Sequence, residues 1–369
     1  MLVTRLAFEN FRNLETGELR PVPGVNIVYG SNAQGKTNLL EAFWFFTGGR
    51  SFRGARDAET VAFGEREAKL HMAFTAADRE QEAEITVSRR RSAVLNGVAQ
   101  SAASHLAGHF CAVVFSPAHL SLIKDGPEER RRFLDAAYCQ LRPGYIRVLG
   151  DFHRVLSQRN ALLKDLRAGF GDERLLDVWD ERLAQAGAQV FAARTAYVRK
   201  LREPAGGIYA GLAGGREAFS LRYESAAGEE GDSPGQARER LAEQLHDSRA
   251  ADRAAGFTTV GPHRDDLVVE ISGLSARTYA SQGQQRSAVL ALKLAEASVL
   301  REVTGEQPVA LLDDVMSELD LSRQDYILNH IHGWQVFLTC CDPSAVMRLT
   351  AGRAFHVEAG RVTPEAVSG

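Results

Sequence analysis

One short run of residues carries the clearest chemistry in this chain. Gly30-Ser31-Asn32-Ala33-Gln34-Gly35-Lys36-Thr37 fits the pattern G-x-x-x-x-G-K-[ST]. It follows the apolar, β-branched segment 25–29 and opens what reads as a helix over 36–46, the context that a phosphate-binding loop requires. Gly30 and Gly35 let the backbone curl so that successive N–H groups, including those of Ser31 to Gln34, converge on phosphate oxygens. The helix N-terminus adds its positive end. Lys36 would reach the β- and γ-phosphates of a nucleoside triphosphate, and the Thr37 hydroxyl would ligate Mg²⁺. ATP and Mg²⁺ are therefore the expected cofactors.

Such a loop needs a second carboxylate site for the metal. Val309-Ala-Leu-Leu reads as a buried strand, and Asp313-Asp314 stands at its carboxyl end, where α/β sheets bind their ligands. Asp313 is the expected partner of Thr37 at the metal, and Asp314 the catalytic residue that polarises an attacking water. Between these motifs lies Tyr279-Ala-Ser-Gln-Gly-Gln-Gln-Arg286, ahead of an apolar helical stretch. There Ser281 and Gly283 stand at the start of the expected helix, whose N-terminus favours an anion.

The elements that position these residues follow from periodicity. Strands are expected at 2–8, 25–29, 70–74, 83–87 and 111–115, with a hairpin turn at Asn96-Gly97. From Pro117 the character changes, and a helix opens at Pro127 with acids in its first turn. Phe152, Val155, Arg159, Leu162 and Leu166 are spaced 3-4-3-4, and Leu176, Trp179, Leu183, Ala186, Val190, Ala193 and Tyr197 continue the pattern after Gly169-Phe-Gly-Asp. Two heptad seams joined by a glycine break predict an antiparallel helical hairpin, either a projecting arm of about 45 Å or part of a compact lobe. Residues 224–236 read as a mobile low-complexity loop, 237–255 as helix, 266–271 as strand, 284–301 as helix, and 309–312 and 335–338 as closing strands. An α/β head assembled from 1–118 and 286–369 is expected, with 119–285 as an inserted helical lobe.

Composition narrows the classes. Of 369 residues 44% are hydrophobic and 25% charged, which excludes disorder and leaves room for about one to three domains. Basic and acidic residues number 44 and 47, so the net charge of −3 rules out a globally basic nucleic-acid binder while allowing a local basic face. No apolar run is long enough for a membrane span, and residues 1–13 do not read as a secretory signal. Cys111, Cys139, Cys340 and Cys341 show no metal spacing, and a reducing cytoplasmic setting is the simple reading.

Here a resemblance enters. Ala280-Ser-Gln-Gly-Gln284 resembles the signature loop of ATP-binding-cassette proteins, usually Leu-Ser-Gly-Gly-Gln, keeping Ser281 and Gly283 while departing at Ala280 and Gln282. In cassette proteins this loop meets the γ-phosphate of ATP bound to the other subunit. Ser317-Glu-Leu-Asp320 resembles the D-loop, and the order of the motifs fits a cassette ATPase. Two cassette features are absent. Thr339-Cys-Cys-Asp342 stands in place of a switch histidine and Ser116-Pro117 in place of a glutamine, which points to slow hydrolysis.

Further residues are similar to the RecF family, recombination mediators of bacterial DNA repair. They are Phe11-Arg-Asn-Leu14, Gly49-Arg-Ser-Phe-Arg53, Phe115-Ser-Pro117, Arg130-Arg-Arg-Phe-Leu-Asp135, Gly261-Pro-His-Arg-Asp-Asp266 and Leu312-Asp-Asp-Val-Met-Ser-Glu-Leu-Asp320. The resemblance implies an ATP-binding-cassette head like that of structural-maintenance-of-chromosomes (SMC) proteins. It also implies a homodimer formed on ATP, binding to duplex and gapped DNA, and work with RecR and RecO in loading RecA. No membrane partner is implied. It leaves Arg12 open between a nucleotide contact and a surface arginine, and Arg89-Arg-Arg91 and Arg130-Arg-Arg132 open between solvated surface and phosphate contact. His263 to Asp266 read as a structural turn. A transporter cassette subunit and a cassette-headed nuclease are the competing readings.

Overall fold

The computed structural model describes residues 1–343 and 352–365. They form two compact units, one from Met1–His119 with Leu290–Gly369 and the other from Leu120–Val289.

The first unit is built on two sheets. A six-stranded antiparallel sheet runs in the order Gly17–Leu19, Leu2–Glu9, Ala68–Ala76, Arg79–Val87, Arg91–Leu95 and Val98–Gln100. Alternation of buried and exposed positions along Ala68–Ala76 gives it one core face. The second sheet runs Arg361–Pro364, Gly352–Glu358, Val25–Tyr29, Val336–Cys340, Val309–Asp313 and Ala112–Phe115. Its last five strands are parallel to one another, and three of these are buried throughout. That burial explains why they read in sequence as apolar runs without alternation.

The helix Lys36–Phe45 is buried on nearly every side, and Leu39, Leu40, Phe43 and Phe45 share a core with Leu6 and Met72 of one sheet and Leu311 and Phe337 of the other. Beyond Asn38 its only polar residue is Glu41, and a helix apolar on nearly every face has to be enclosed in this way. The hairpin Gly352–Glu358 and Arg361–Pro364 was not foreseen from sequence. It adds the edge beside the strand that leads into the phosphate loop.

In the second unit the helices Tyr145–Arg167 and Leu175–Ala213 form the expected hairpin, but both are longer than their heptads suggested. The second has 39 residues, close to 60 Å at about 1.5 Å per residue, and continues across Pro204. It is not a bare arm. Helices Pro234–Asp247 and Arg249–Ala255 are folded with it, and Leu241 and Leu245 enter the core of Phe152, Leu183 and Phe191. The span 237–255 is thus two helices. A sheet of Leu274–Ser275, Asp266–Ile271 and Phe219–Glu224 completes the unit.

The loop expected to be mobile at 224–236 is tied down. Ala227 is fully buried, Arg202 pairs with Glu230 and Arg240 with Asp232, and Ser233 and Gln236 make a reciprocal cap.

Arg159, an oddity in the hydrophobic seam, is wholly enclosed. It donates to Asp180 and Asp252 at 2.6 Å each and to Thr258 at 2.9 Å. Arg159→Ala would leave buried Asp252 without its charged partner and Asp180 with Arg249 alone, and breaking a buried pair costs about 3–5 kcal/mol. Denaturant unfolding is expected to show that loss; a change below about 1 kcal/mol would mean that water already screens the cluster.

Candidate nucleotide site

The parallel strands deliver the site at their carboxyl ends. Val25–Tyr29 leads directly into Gly30, whose φ of 149° is closed to most side chains. A Cβ there would lie 2.2 Å from the Val357 carbonyl oxygen, so the neighbouring strand Gly352–Glu358 demands glycine. Ala33 at φ 64° and Gly35 at φ 121° complete the curl. Gln34 is held from the far end of the chain: its side-chain oxygen accepts from Ala359 N at 2.6 Å and its carbonyl from Gly360 N at 3.0 Å. Asn13 closes the loop's other side, its Nδ2 donating to Ala33 O at 3.2 Å.

Lys36 is buried and curls back over this loop, donating to Gly30 O at 2.5 Å and Ser31 O at 2.9 Å. Its ammonium therefore sits where phosphate oxygens would meet the loop. Thr37 Oγ1 donates to Asp313 Oδ1 at 2.8 Å, joining residues 276 apart in sequence. Pairing of strands Val309–Asp313 and Val336–Cys340 sets Asp313 opposite Thr339, whose hydroxyl donates to Asp313 at 3.0 Å and accepts from Asp314 N at 2.9 Å. Thr339 was not singled out from sequence, because only strand register reveals it. Burial pushes the Asp313 carboxyl above its usual range, opposed by the bonds from Thr37 and Thr339.

Asp314 is half-buried in a left-handed conformation at φ 51°, and Ser317 donates to its carbonyl at 2.8 Å and its carboxylate at 3.0 Å. The Thr37 and Asp313 oxygens suit Mg²⁺, which takes one or two protein ligands and completes its shell from phosphates and water. Among the described residues no group of three or more His, Cys, Asp or Glu side chains would hold a metal by itself. Within Thr339-Cys-Cys-Asp342, Cys341 is exposed, with Sγ 3.1 Å from Asn32 Oδ1 and 3.8 Å from Lys36 Nζ.

The second anion site lies on the other unit. Ser281 is exposed at the start of helix Gln282–Thr304. Its N–H donates to Gln284 Oε1 at 2.7 Å, while its hydroxyl oxygen accepts from Gln284 N at 3.3 Å. This is a reciprocal capping box, a reason for serine and glutamine at that spacing that the signature resemblance alone did not supply.

The arginines of the other runs divide between buried and exposed positions. Arg12 forks onto buried Glu41 with two bonds of 2.9 Å and donates to the Glu59 carbonyl at 3.1 Å. Arg91 lies over the Phe45 ring at 4.6 Å and pairs with Asp57 at 3.0 Å, whereas Arg89 and Arg90 are exposed. Arg130 is buried and bound to Asp266 at 2.6 and 2.9 Å, Arg131 donates to the Asp265 carbonyl at 2.7 Å, and Arg132 stays on the surface with Glu128 and Glu129. His263 bonds to Thr258 O at 3.0 Å, and burial pushes its ring down to about 4, as fits a neutral turn residue.

Phosphate loop, Asp-ended strand one place further along the same sheet and capped signature helix recur together in one class, the ATPase heads of cassette and SMC proteins. Known proteins bear this out. The family model described as RecF/RecN/SMC N terminal domain matches residues 2–354. The chain is 41% identical over 370 residues to the DNA replication and repair protein RecF of Symbiobacterium thermophilum, covering 98% of each. It is 35% identical over 366 residues to that of Acetivibrio thermocellus, covering 98% of this chain and 99% of the relative. A solved structure of the recombination mediator protein RecF-ATP in the RecFOR pathway superposes with a TM-score of 0.92 at 38% identity, covering 99% of this chain and 98% of that one. An Smc head bound to the C-winged helix domain of ScpA matches with a TM-score of 0.56 at 16% identity over 100% of this chain and 98% of that one, a likeness of fold. The chain belongs to the RecF family. Among its described residues no helix is long and apolar enough to cross a membrane.

Proposed function

We propose that this chain is an ATP-operated clamp for DNA in recombinational repair and replication restart, dimerising on ATP and assisting RecA loading at gaps. The observation that carries it is the joined cradle, in which Thr37 and Asp313 meet at 2.8 Å beside the folded-back Lys36. Membership of the RecF family and the likeness to RecF-ATP support ATP as the nucleotide and RecR and RecO as partners. Mg²⁺ would supply charge neutralisation between the phosphates, with Thr37 and Asp313 holding it. Lys36 takes up the β- and γ-phosphate charge, the N–H groups of Ser31 to Gly35 cradle the oxygens, and Asp314 orients and polarises a water.

The phosphate loop and the signature-type loop are the two halves that a cassette dimer pairs across its interface. Ser281 and Gly283 of one copy would then face the γ-phosphate held by another. DNA, duplex or gapped, is the substrate of the clamp.

Lys36→Ala tests the cradle. Removing the ammonium forfeits charge-assisted bonds to phosphate, so ATP affinity on calorimetric titration is expected to fall by about tenfold or more. Unchanged affinity in a folded variant would overturn the assignment.

A further inference from the structure

We propose that Glu217 is a positioning residue for the signature-type loop, holding Gln284 so that Ser281 and Gly283 are presented to phosphate. The inference rests on the reading of Ser281 and Gly283 as the site offered to another copy's nucleotide.

Gln284 has two tasks. Its Oε1 accepts from Ser281 N at 2.7 Å, which caps the helix, and its Nε2 donates to Glu217 Oε1 at 2.8 Å. The carboxylate therefore fixes which way the amide faces: with nitrogen toward Glu217, oxygen must point to the Ser281 N–H. In the reversed orientation two N–H donors would confront each other and the cap would be lost.

Glu217 is itself held. Tyr209 donates its hydroxyl to Glu217 Oε2 at 2.6 Å, and the Tyr209 ring is fully buried and stacked on Phe219 at 4.7 Å with a 17° interplanar angle. The bonds from Tyr209 and Gln284 keep the Glu217 carboxyl below its ordinary range, so it is ionised under physiological conditions. A continuous chain of hydrogen bonds thus runs from the last turns of the helix Leu175–Ala213, through Glu217 and Gln284, to the backbone of Ser281.

The outcome at Ser281 is specific. Its hydroxyl oxygen accepts from Gln284 N at 3.3 Å, so the hydroxyl proton is left for an acceptor outside the chain, as a γ-phosphate oxygen would be. Without Glu217 the glutamine amide regains its rotamers, and the loop has to be ordered when the second copy arrives. That cost falls on dimerisation and not on nucleotide binding by a single copy.

The test uses the full chain with Glu217→Ala, which removes both acceptors, and Glu217→Gln, which keeps the shape but sets an amide NH₂ against one of the two donors. Three quantities are measured: ATP affinity under monomeric conditions, the protein concentration at half-dimerisation in ATP by light scattering, and hydrogen exchange across the chain. Glu217→Ala is expected to raise the half-dimerisation concentration about tenfold, the scale of one charge-assisted hydrogen bond, with ATP affinity unchanged. Exchange is expected to quicken at residues 281–284 and not elsewhere in that unit. Glu217→Gln should fall between parent and Glu217→Ala in both readouts.

Unchanged dimerisation, or exchange raised evenly through the unit, would overturn the positioning role. The underlying reading fails separately. If Ser281→Arg dimerises like the parent, the in-trans role of the loop is what is wrong; if Ser281→Arg blocks dimerisation and Glu217→Ala does not weaken it, Glu217 is refuted alone.

Discussion

Ser281→Arg is expected to abolish the ATP-dependent dimer while a single copy still binds ATP with nearly parental affinity. The serine is exposed and its neighbours are the capping partners of one helix turn, so the larger side chain can be accommodated by an isolated copy. In the proposed dimer it would occupy the place of a γ-phosphate from the other copy, where a bulky side chain separates the surfaces. Loss of a composite contact of this kind acts on association and leaves the cradle of Lys36, Thr37 and Asp313 untouched. Light scattering with and without ATP, beside calorimetric titration of ATP, separates the two effects. A variant that dimerises normally would show that the signature-type loop does not act across an interface.

The part of the site that could be read in the sequence is the part made of contiguous residues. Gly30 to Thr37 form one loop whose spacing is set by its own backbone, and Ser281 to Gln284 form one helix cap. Both therefore keep their chemistry visible along the chain. Asp313 was legible because an apolar strand must end somewhere and two carboxylates mark the end. What was hidden is the set of ties between distant segments. Asn13, Thr339 and the backbone at Ala359 and Gly360 hold the cradle through bonds that only strand order and register create. Glu217 and Gln284, 67 residues apart, are of the same kind.

Arginine runs were opaque for a different reason. Consecutive residues on a helix point about 100° apart, so Arg130, Arg131 and Arg132 face inward, sideways and outward, and their shared charge reveals none of this. Arg159 occupies a heptad position and is as buried as its apolar neighbours, yet it serves as the hub of a polar cluster. The edge hairpin Gly352–Glu358 and Arg361–Pro364 escaped because charged and proline residues at a sheet edge dilute the alternation that marks a strand.

The largest contrast is expected between the adjacent carboxylates. Asp314→Asn changes little in the free chain. Asparagine tolerates the left-handed conformation at φ 51°, and its Oδ1 can still accept from Ser317. What it loses is the charge that polarises a water, a contribution of about 10²-fold or more when a general base is removed. Parental hydrolysis is itself expected to be slow, because Ser116-Pro117 stands in place of a glutamine and Thr339 to Asp342 supply no switch histidine. A slow reaction suits a clamp that persists on DNA rather than a motor that steps. The variant, with Thr37 and Asp313 intact for Mg²⁺, should accumulate as an ATP-held dimer with prolonged residence on duplex DNA. Asp313→Asn should do the opposite: it keeps an acceptor for Thr37 and Thr339 but removes the charge facing the metal, weakening Mg²⁺ and with it the dimer. The deciding measurement is the rate of dissociation from duplex DNA after ATP is chased. Release of Asp314→Asn as fast as the parent would mean that hydrolysis does not time departure from DNA.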